Sequence, residues 1–363
     1  MKTKITYSLL AAAAACSLVN AQTTAYTTPV GYVSINVPNE TDSKIAIPLL
    51  TPSAWSGVAS GISTNTITVS AGSFVDSAYV DTHMLQVTTG NLAGRIFPIT
   101  ANGTGNLTVD STGSNSLADQ GFSTGTSFVI RPYWTLDSLF PQGAGVGQSS
   151  DPFSPTTSLF FADNSSTGIN RGLTDNFFYY DGSQGGDAGW YDVNNLEAGP
   201  QGSLIIPPDK CLTVRNLSVD PLSIVVTGEV PSVAVATLVV SDTIENDSLA
   251  QVAYPIDTSL AQSELFETGA VSDSSDPFSP TDMVFVYDPA TTGLNPAASA
   301  AYFHYDGSQG GDAGWYDLNN LEAGLIDNDL IIKSGSQIFI RKAAGSELKA
   351  TTWKAPLPYI LNQ

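Results

Sequence analysis

"YDGSQGGDAGWYDVNNLEAG" fills residues 180–199, and "YDGSQGGDAGWYDLNNLEAG" fills residues 305–324. The two stretches differ only at Val193 and Leu318. A repeat this long makes internal duplication the first reading of the chain. At the same offset, "SSDPFSPT" at 149–156 recurs at 274–281. Downstream, "SLIIPPDKCLTVRN" matches "DLIIKSGSQIFIRK" with one residue of slippage, and "TGEVP" at 227–231 matches "TWKAP" at 352–356. Upstream, "TDSKIAIPL" at 41–49 matches "NDSLAQVAYPI" at 246–256, but at an offset near 206. The first copy is therefore longer by roughly 80 residues, which lie between about 58 and 133.

Within the block, "FFYYDG" and "GWYD" read as aromatic strands, and "SQGGDA" reads as the turn between them. Gly185 and Gly186 supply positive φ, and Gly189 lets the chain re-enter a sheet without a clash. Runs such as "VGYVSINV", "SLFFAD", "SLIIP", "CLTVRN", "SIVVTGEV" and "VAVATLVVSD" are short, β-branched or aromatic, and bounded by Gly, Pro, Asn and Asp. Only "SLAQSELF" and "LTDNFF" suggest a helical turn. The insertion alternates apolar and polar residues and predicts a small barrel or roll of four to six strands. The fold class is all-β: two tandem related β-sandwich or barrel units, 22–231 and 232–363, the first carrying a β-barrel-like module at about 58–133.

The first residues read differently. Lys2 and Lys4 precede the apolar "ITYSLLAAAAACSL", and Val19-Asn20-Ala21 offers a small-x-small cleavage site. Residues 1–21 are expected to be a signal peptide, leaving Gln22 at the mature N-terminus. Cys16 raises a lipoprotein reading, but the leucine usual three residues earlier is missing. Elsewhere no run reaches membrane-spanning length, so no integral membrane segment is expected after cleavage. The address expected is extracellular, cell-surface or periplasmic.

Cleavage removes two lysines and no acid, deepening a formal net charge of −21. Such a surface repels nucleic acid and anionic lipid and suits divalent cations or a salty medium. Only Cys211 survives cleavage, so no intrachain disulfide can form, and its strand-like context predicts a small buried thiol.

The block admits two functional readings. As a structural hairpin it packs Trp190 and Trp315 on the core and turns at a polar tip. As a twelve-residue calcium loop it would use Asp181, Ser183, Asp187 and Asp192 as ligands around Gly186. The second copy offers Asp306, Ser308, Asp312 and Asp317 around Gly311. Two departures weaken that match: the fifth position is Gly185 or Gly310, and the flanks are strands. On the calcium reading, Ca2+ would serve a polysaccharide site with Trp190 or Trp315 as the stacking face.

Catalytic patterns are scarce. The histidines are His83 and His304, and the first copy carries Tyr179 where His304 stands in the second. Neither a Gly-x-Ser-x-Gly elbow nor a His-Glu-x-x-His helix occurs. Asp187 with Asp192 or Glu197 could act as acid and base on a glycoside, but 34 acidic residues make such pairs common by chance. No catalytic residue and no obligatory cofactor is assigned.

"HMLQVTTGNLAGRIFPITANGTGNLTVD", "IRPYWTLDSLF" and the order "SSDPFSP", "YYDGS", "GWYD" together resemble a family of uncharacterised exported proteins from Verrucomicrobia and related bacteria. The resemblance covers most of the mature chain and implies a bacterial, exported, β-rich protein. It brings no activity, ligand or catalytic residue with it. The second unit departs from the first in lacking the inserted module. The function expected is a non-catalytic structural or adhesive role at or beyond the cell envelope, its partner an extracellular polysaccharide or another copy of the chain. The alternative is a calcium-dependent polysaccharide-binding module.

Overall fold

The structure is a computed structural model that describes residues 28–70, 72–111, 115–162, 167–208, 212–251 and 254–359. The expected signal peptide, the cleavage site and Cys211 lie outside the described residues. The chain is all-β, with two related units and one inserted β module.

In chain order, β1 (Val30–Val37) and β2 (Thr41–Ile45) open the first unit. The insertion holds β3 (Trp55–Val58), β4 (Gly61–Ser63), β5 (Thr66–Thr68), β6 (His83–Val87), β7 (Ile96–Asn102), β8 (Asn106–Val109) and β9 (Ser127–Pro132). The first unit resumes with β10 (Trp134–Thr135), the one-turn helix α1 (Leu136–Leu139), β11 (Thr157–Ala162) and β12 (Leu173–Tyr180). It ends with β13 (Gly189–Asp192), β14 (Ile205–Ile206), β15 (Leu212–Asn216) and β16 (Leu222–Glu229). The second unit begins with β17 (Ala236–Ser241), β18 (Asn246–Gln251), the one-turn helix α2 (Leu260–Ser263) and β19 (Met283–Tyr287). Four strands complete it: β20 (Ala300–Tyr305), β21 (Gly314–Asp317), β22 (Gln337–Lys342) and β23 (Lys349–Lys354).

The duplication is legible in the hydrogen bonding. One five-stranded sheet runs β13-β12-β11-β15-β2, the other β21-β20-β19-β22-β18, each strand replaced by its counterpart. A two-stranded ribbon accompanies each sheet, β1-β16 in the first unit and β17-β23 in the second. Alternation sets the burial of these ribbons. In β1, Val33, Ile35 and Val37 are buried while Tyr32 and Ser34 face solvent, and Ile35 sits opposite the buried Ile224 of β16. Each unit closes over its own core, one containing Trp190 and the other Trp315.

The module is spliced between β2 and α1, where the second unit passes from β18 to α2 without one. Both helices open with the same capping box, Thr135 with Ser138 and Ser259 with Gln262. The module forms a seven-stranded sheet in the order β3-β9-β6-β7-β8-β5-β4. Ala59 and Ser60 join its two edge strands, their N–H groups donating to Thr126 O at 3.0 Å and Thr68 O at 2.8 Å. The sheet thereby curls around one core that includes Ile67, Leu85, Phe97, Leu107 and Phe128. A buried cluster ties it to the first unit. Arg131 on β9 pairs with Glu229 on β16, and its Nε donates to Gln86 Oε1 at 3.0 Å. Glu229 also accepts the Ser53 N–H at 3.0 Å.

Three local expectations change. "LTDNFF" is strand, forming most of β12, and only the first turn of "SLAQSELF" is helix. The module has seven strands rather than four to six and begins at Trp55, because β3, β4 and β5 are too short to show a period.

One contact between the two units is made twice. On β2, Asp42 binds Arg215 through both carboxylate oxygens, at 2.7 and 2.8 Å. It also accepts the Asn295 N–H of the second unit at 2.9 Å, while its own N–H donates to Gly293 O at 3.0 Å. On β18, Asp247 binds Arg341 at 2.7 and 2.9 Å and accepts the Asn170 N–H of the first unit at 2.8 Å. Its N–H donates to Gly168 O at 3.0 Å. Asn170 and Asn295 both adopt left-handed backbone, at φ 53° and 49°, a conformation asparagine tolerates better than most residues. Each unit therefore caps the edge strand of the other.

Candidate functional site

The repeated motifs fold against each other in both units. "SSDPFSPT" runs beside the block: Ser149 N–H donates to Tyr179 O at 2.8 Å, and Asp181 N–H donates to Ser149 O at 3.0 Å. Ser274 makes the same bridge to His304 O and Asp306 N–H, at 2.8 and 3.1 Å. Ser183 Oγ donates to Ser150 O at 3.3 Å, and Ser308 Oγ to Ser275 O at 3.2 Å. Two stretches far apart in sequence thus become one surface element, built once per unit.

Within each element, short polar side chains fold the turns. Asp151 accepts the Phe153 N–H and Asp276 the Phe278 N–H, both at 2.9 Å. These Asx turns leave Phe153 and Phe278 standing out, 83% and 82% exposed. In the block's loop, Asp181 accepts the Ser183 N–H and Asp306 the Ser308 N–H, both at 2.8 Å. The Ser183 hydroxyl and N–H hold the Asp181 carboxyl below its ordinary range. The Ser308 N–H and hydroxyl do the same for Asp306.

Tyrosines brace the loop from beneath. Tyr180 Oη accepts the Gln184 N–H at 2.8 Å and donates to Gly185 O at 3.0 Å. Tyr305 accepts the Gln309 N–H at 2.6 Å. Tyr191 and Tyr316 donate to the backbone oxygens of Asp187 and Asp312 at 2.8 and 2.9 Å. Burial and the nearby Asp187 charge push the Tyr191 hydroxyl up. Gly185 and Gly186 take φ of 101° and 89°, and a Cβ on Gly189 would sit 2.9 Å from Pro200 Cβ. Both glycine expectations for the turn hold.

The residues considered as calcium ligands are not gathered into one site. Asp192 pairs with Phe177, at the end of β13 away from the loop, whereas Gly189 beside the loop pairs with Tyr180. Three residues of strand separate the two ends by about 10 Å. Asp317 is displaced from Asp306 in the same way, opposite Tyr302. Instead Asp192 and Asp317 accept the N–H groups of Asn194 and Asn319, at 2.8 and 2.9 Å. Asp187, Ser183, Asp312 and Ser308 are exposed on the loops, and Glu197 lies on an exposed turn beyond β13. Among the described residues, no group of three or more His, Cys, Asp or Glu could hold a metal ion.

Trp190 and Trp315 do not form a stacking face. They are 1% and 2% exposed. Trp190 packs edge-on against Tyr179 at 5.7 Å and lies 6.0 Å from Phe140. Trp315 packs edge-on against His304 at 5.4 Å. The strand period explains the correction: in "GWYD" the tryptophan points inward and the following tyrosine outward. His304 lies flat on Phe266 at 3.6 Å, and His83 bonds Thr82 Oγ1 through Nδ1 at 2.8 Å. Two aromatics that do face solvent, Phe153 and Phe278, sit in a motif whose repetition is plain in sequence, but whose outward direction depends on the Asx turn.

No family model matches the chain, and no curated protein or solved structure matches it. Among the described residues, no helix is long and apolar enough to cross a membrane.

Proposed function

We propose that the protein is an exported, non-catalytic structural or adhesive protein of the cell envelope or extracellular space, displaying the same contact surface twice. One observation carries this reading: the residues kept identical in both units include an exposed phenylalanine and an exposed polar loop that packing does not require. Phe153 and Phe278 are held out by the same Asx turn on the same seryl bridge. A solvated aromatic ring costs free energy in the absence of a partner, and Phe is among the residues enriched at interfaces. The signal-like N-terminus and the resemblance to exported Verrucomicrobial proteins support the address.

Two linked contacts bind far more tightly than one when both can engage, by about 10²–10⁴. Labelled protein should therefore bind envelope preparations of the producing bacterium, and Phe153→Ala or Phe278→Ala alone should remove most of the avidity. The double variant should keep its melting temperature and lose binding. A double variant that binds like the wild type would remove the adhesive reading, and recovery of the native protein in the cytoplasm would remove the exported one.

A further inference from the structure

A cavity of about 350 Å³ lies where the first unit, the module and the second unit meet. Its wall is mostly apolar: Leu49, Trp134 and Ile206 come from the first unit, Met84 and Ile96 from the module, and Leu238 from the second unit. Its volume falls within the range of small-molecule sites, roughly 300–1,000 Å³. Two arginines, Arg95 and Arg171, also line it.

Those arginines stand apart from the rest. The chain has five, and Arg131, Arg215 and Arg341 each pair with a carboxylate. Arg95 has no ion pair or side-chain hydrogen bond among the described residues, and its guanidinium carbon lies 5.0 Å from the centre of the Phe97 ring. Arg171 donates to neutral oxygens, Asn246 Oδ1 at 3.2 Å and the Asp247 carbonyl, and its buried Nε has no partner. Acids outnumber bases 34 to 13 in this sequence, so a lack of available carboxylates does not explain the two exceptions. Partial burial pulls the Arg95 guanidinium below its ordinary range. A desolvated cation without a counter-charge is costly, and both such cations face one mostly apolar cavity.

We propose that this cavity binds an amphiphilic monocarboxylate, its carboxylate against Arg95 and Arg171 and its apolar chain against Leu49, Trp134, Ile206 and Leu238. Guanidinium is suited to that head group because its planar donor fork matches a carboxylate. Occupancy would bridge the three parts of the fold, since each supplies a wall.

Calorimetric titration of the purified protein with dodecanoate, below its micellar concentration, tests the proposal. We expect saturable one-to-one binding, with dodecanol binding at least tenfold more weakly. Arg95→Gln should weaken dodecanoate at least tenfold and leave dodecanol unchanged. Arg95 is the better target, because Arg171 also holds the two units together. Leu238→Trp, at the partly exposed rim, should weaken both probes by narrowing the cavity. Absence of saturable binding, a stoichiometry well above one, or equal affinity for acid and alcohol would overturn the proposal. These last comparisons use the unmodified protein, so they decide even if a variant misfolds.

Discussion

The two units solve the same interior problem with different chemistry. Where β19 meets β22, Lys342 pairs with Asp282, and its Nζ also donates to Ala270 O at 3.1 Å and lies 3.4 Å from Ser272 Oγ. Asp282 further accepts the N–H groups of Ser272 and Ala343, at 2.7 and 3.0 Å. At the same place in the first unit stand Thr157 and Asn216. Asn216 donates to Pro38 O and Asp220 O, at 3.1 and 2.9 Å, and accepts the Ser218 N–H at 3.0 Å. Buried polar groups must be satisfied, yet the identity of the satisfying group is free to change. The exposed loops, by contrast, are identical between units. This interior pair differs between the units while a patch of surface does not, so packing alone does not account for what is kept identical.

The largest effects should be those on which the units agree. Trp190→Ala and Trp315→Ala should each cost about 3–5 kcal/mol, because each empties a fully buried site. Denaturant unfolding checks this, and a loss in only one variant would mean that one unit holds its hairpin by other means.

Next come the positions at which they differ. Lys342→Ala strands the buried Asp282 and should cost about 3–5 kcal/mol. Asn216→Ala leaves neutral groups unpaired and should cost about 1–3 kcal/mol. Equal costs would show that the exchange of an ion pair for an amide carries no energetic weight.

A smaller, pH-dependent difference should follow from His304, whose place Tyr179 takes in the first unit. Burial holds the His304 imidazole below its ordinary range, with Asp273, Glu267 and Asp327 pulling the other way. The native state then binds fewer protons than the unfolded one just below the unfolded pKa. Stability is complete above about pH 6.5 and is lost as pH falls from there through the folded value. His304→Tyr should flatten the decline in melting temperature between about pH 7 and pH 5, leaving the share from His83, which burial also lowers. An unchanged decline would place the pH dependence elsewhere.

The smallest effect belongs to the exposed loops. Asp187→Asn combined with Asp312→Asn should change stability by no more than about 0.5 kcal/mol per site. Melting curves in excess calcium and in chelator should coincide. A calcium module would gain about 2.7 kcal/mol at 100 times the dissociation constant, and a shift abolished by the double variant would restore that reading.

Much of the fold was legible because duplication and strand period both survive in sequence. Matched segments fall on corresponding strands of the two five-stranded sheets, while the module's first strand begins at Trp55, before the expected start near residue 58, and the glycines mark the turn. The direction of Trp190 and Trp315 was less accessible, since it depends on which face of β13 and β21 meets a core assembled from distant strands. The clasp was hidden for a different reason. "TGIN" at 167–170 and "TGLN" at 292–295 occupy stretches that otherwise diverge, and each acts on the partner unit rather than its own. The cavity arginines had no local signature at all, because Arg95, Arg171 and the apolar wall come together only in the folded chain.

Because the clasp is reciprocal, the same surfaces that meet within this chain would, in a chain of one unit, meet between two molecules and close a pair about a two-fold axis. Tandem fusion removes the dependence on protein concentration. A short tether holds the second half at an effective concentration on the order of millimolar, so the paired arrangement persists at dilutions that would separate free subunits. The pairing of the two units is thereby made independent of how much protein is present, a form of permanence that surface contacts alone would not provide.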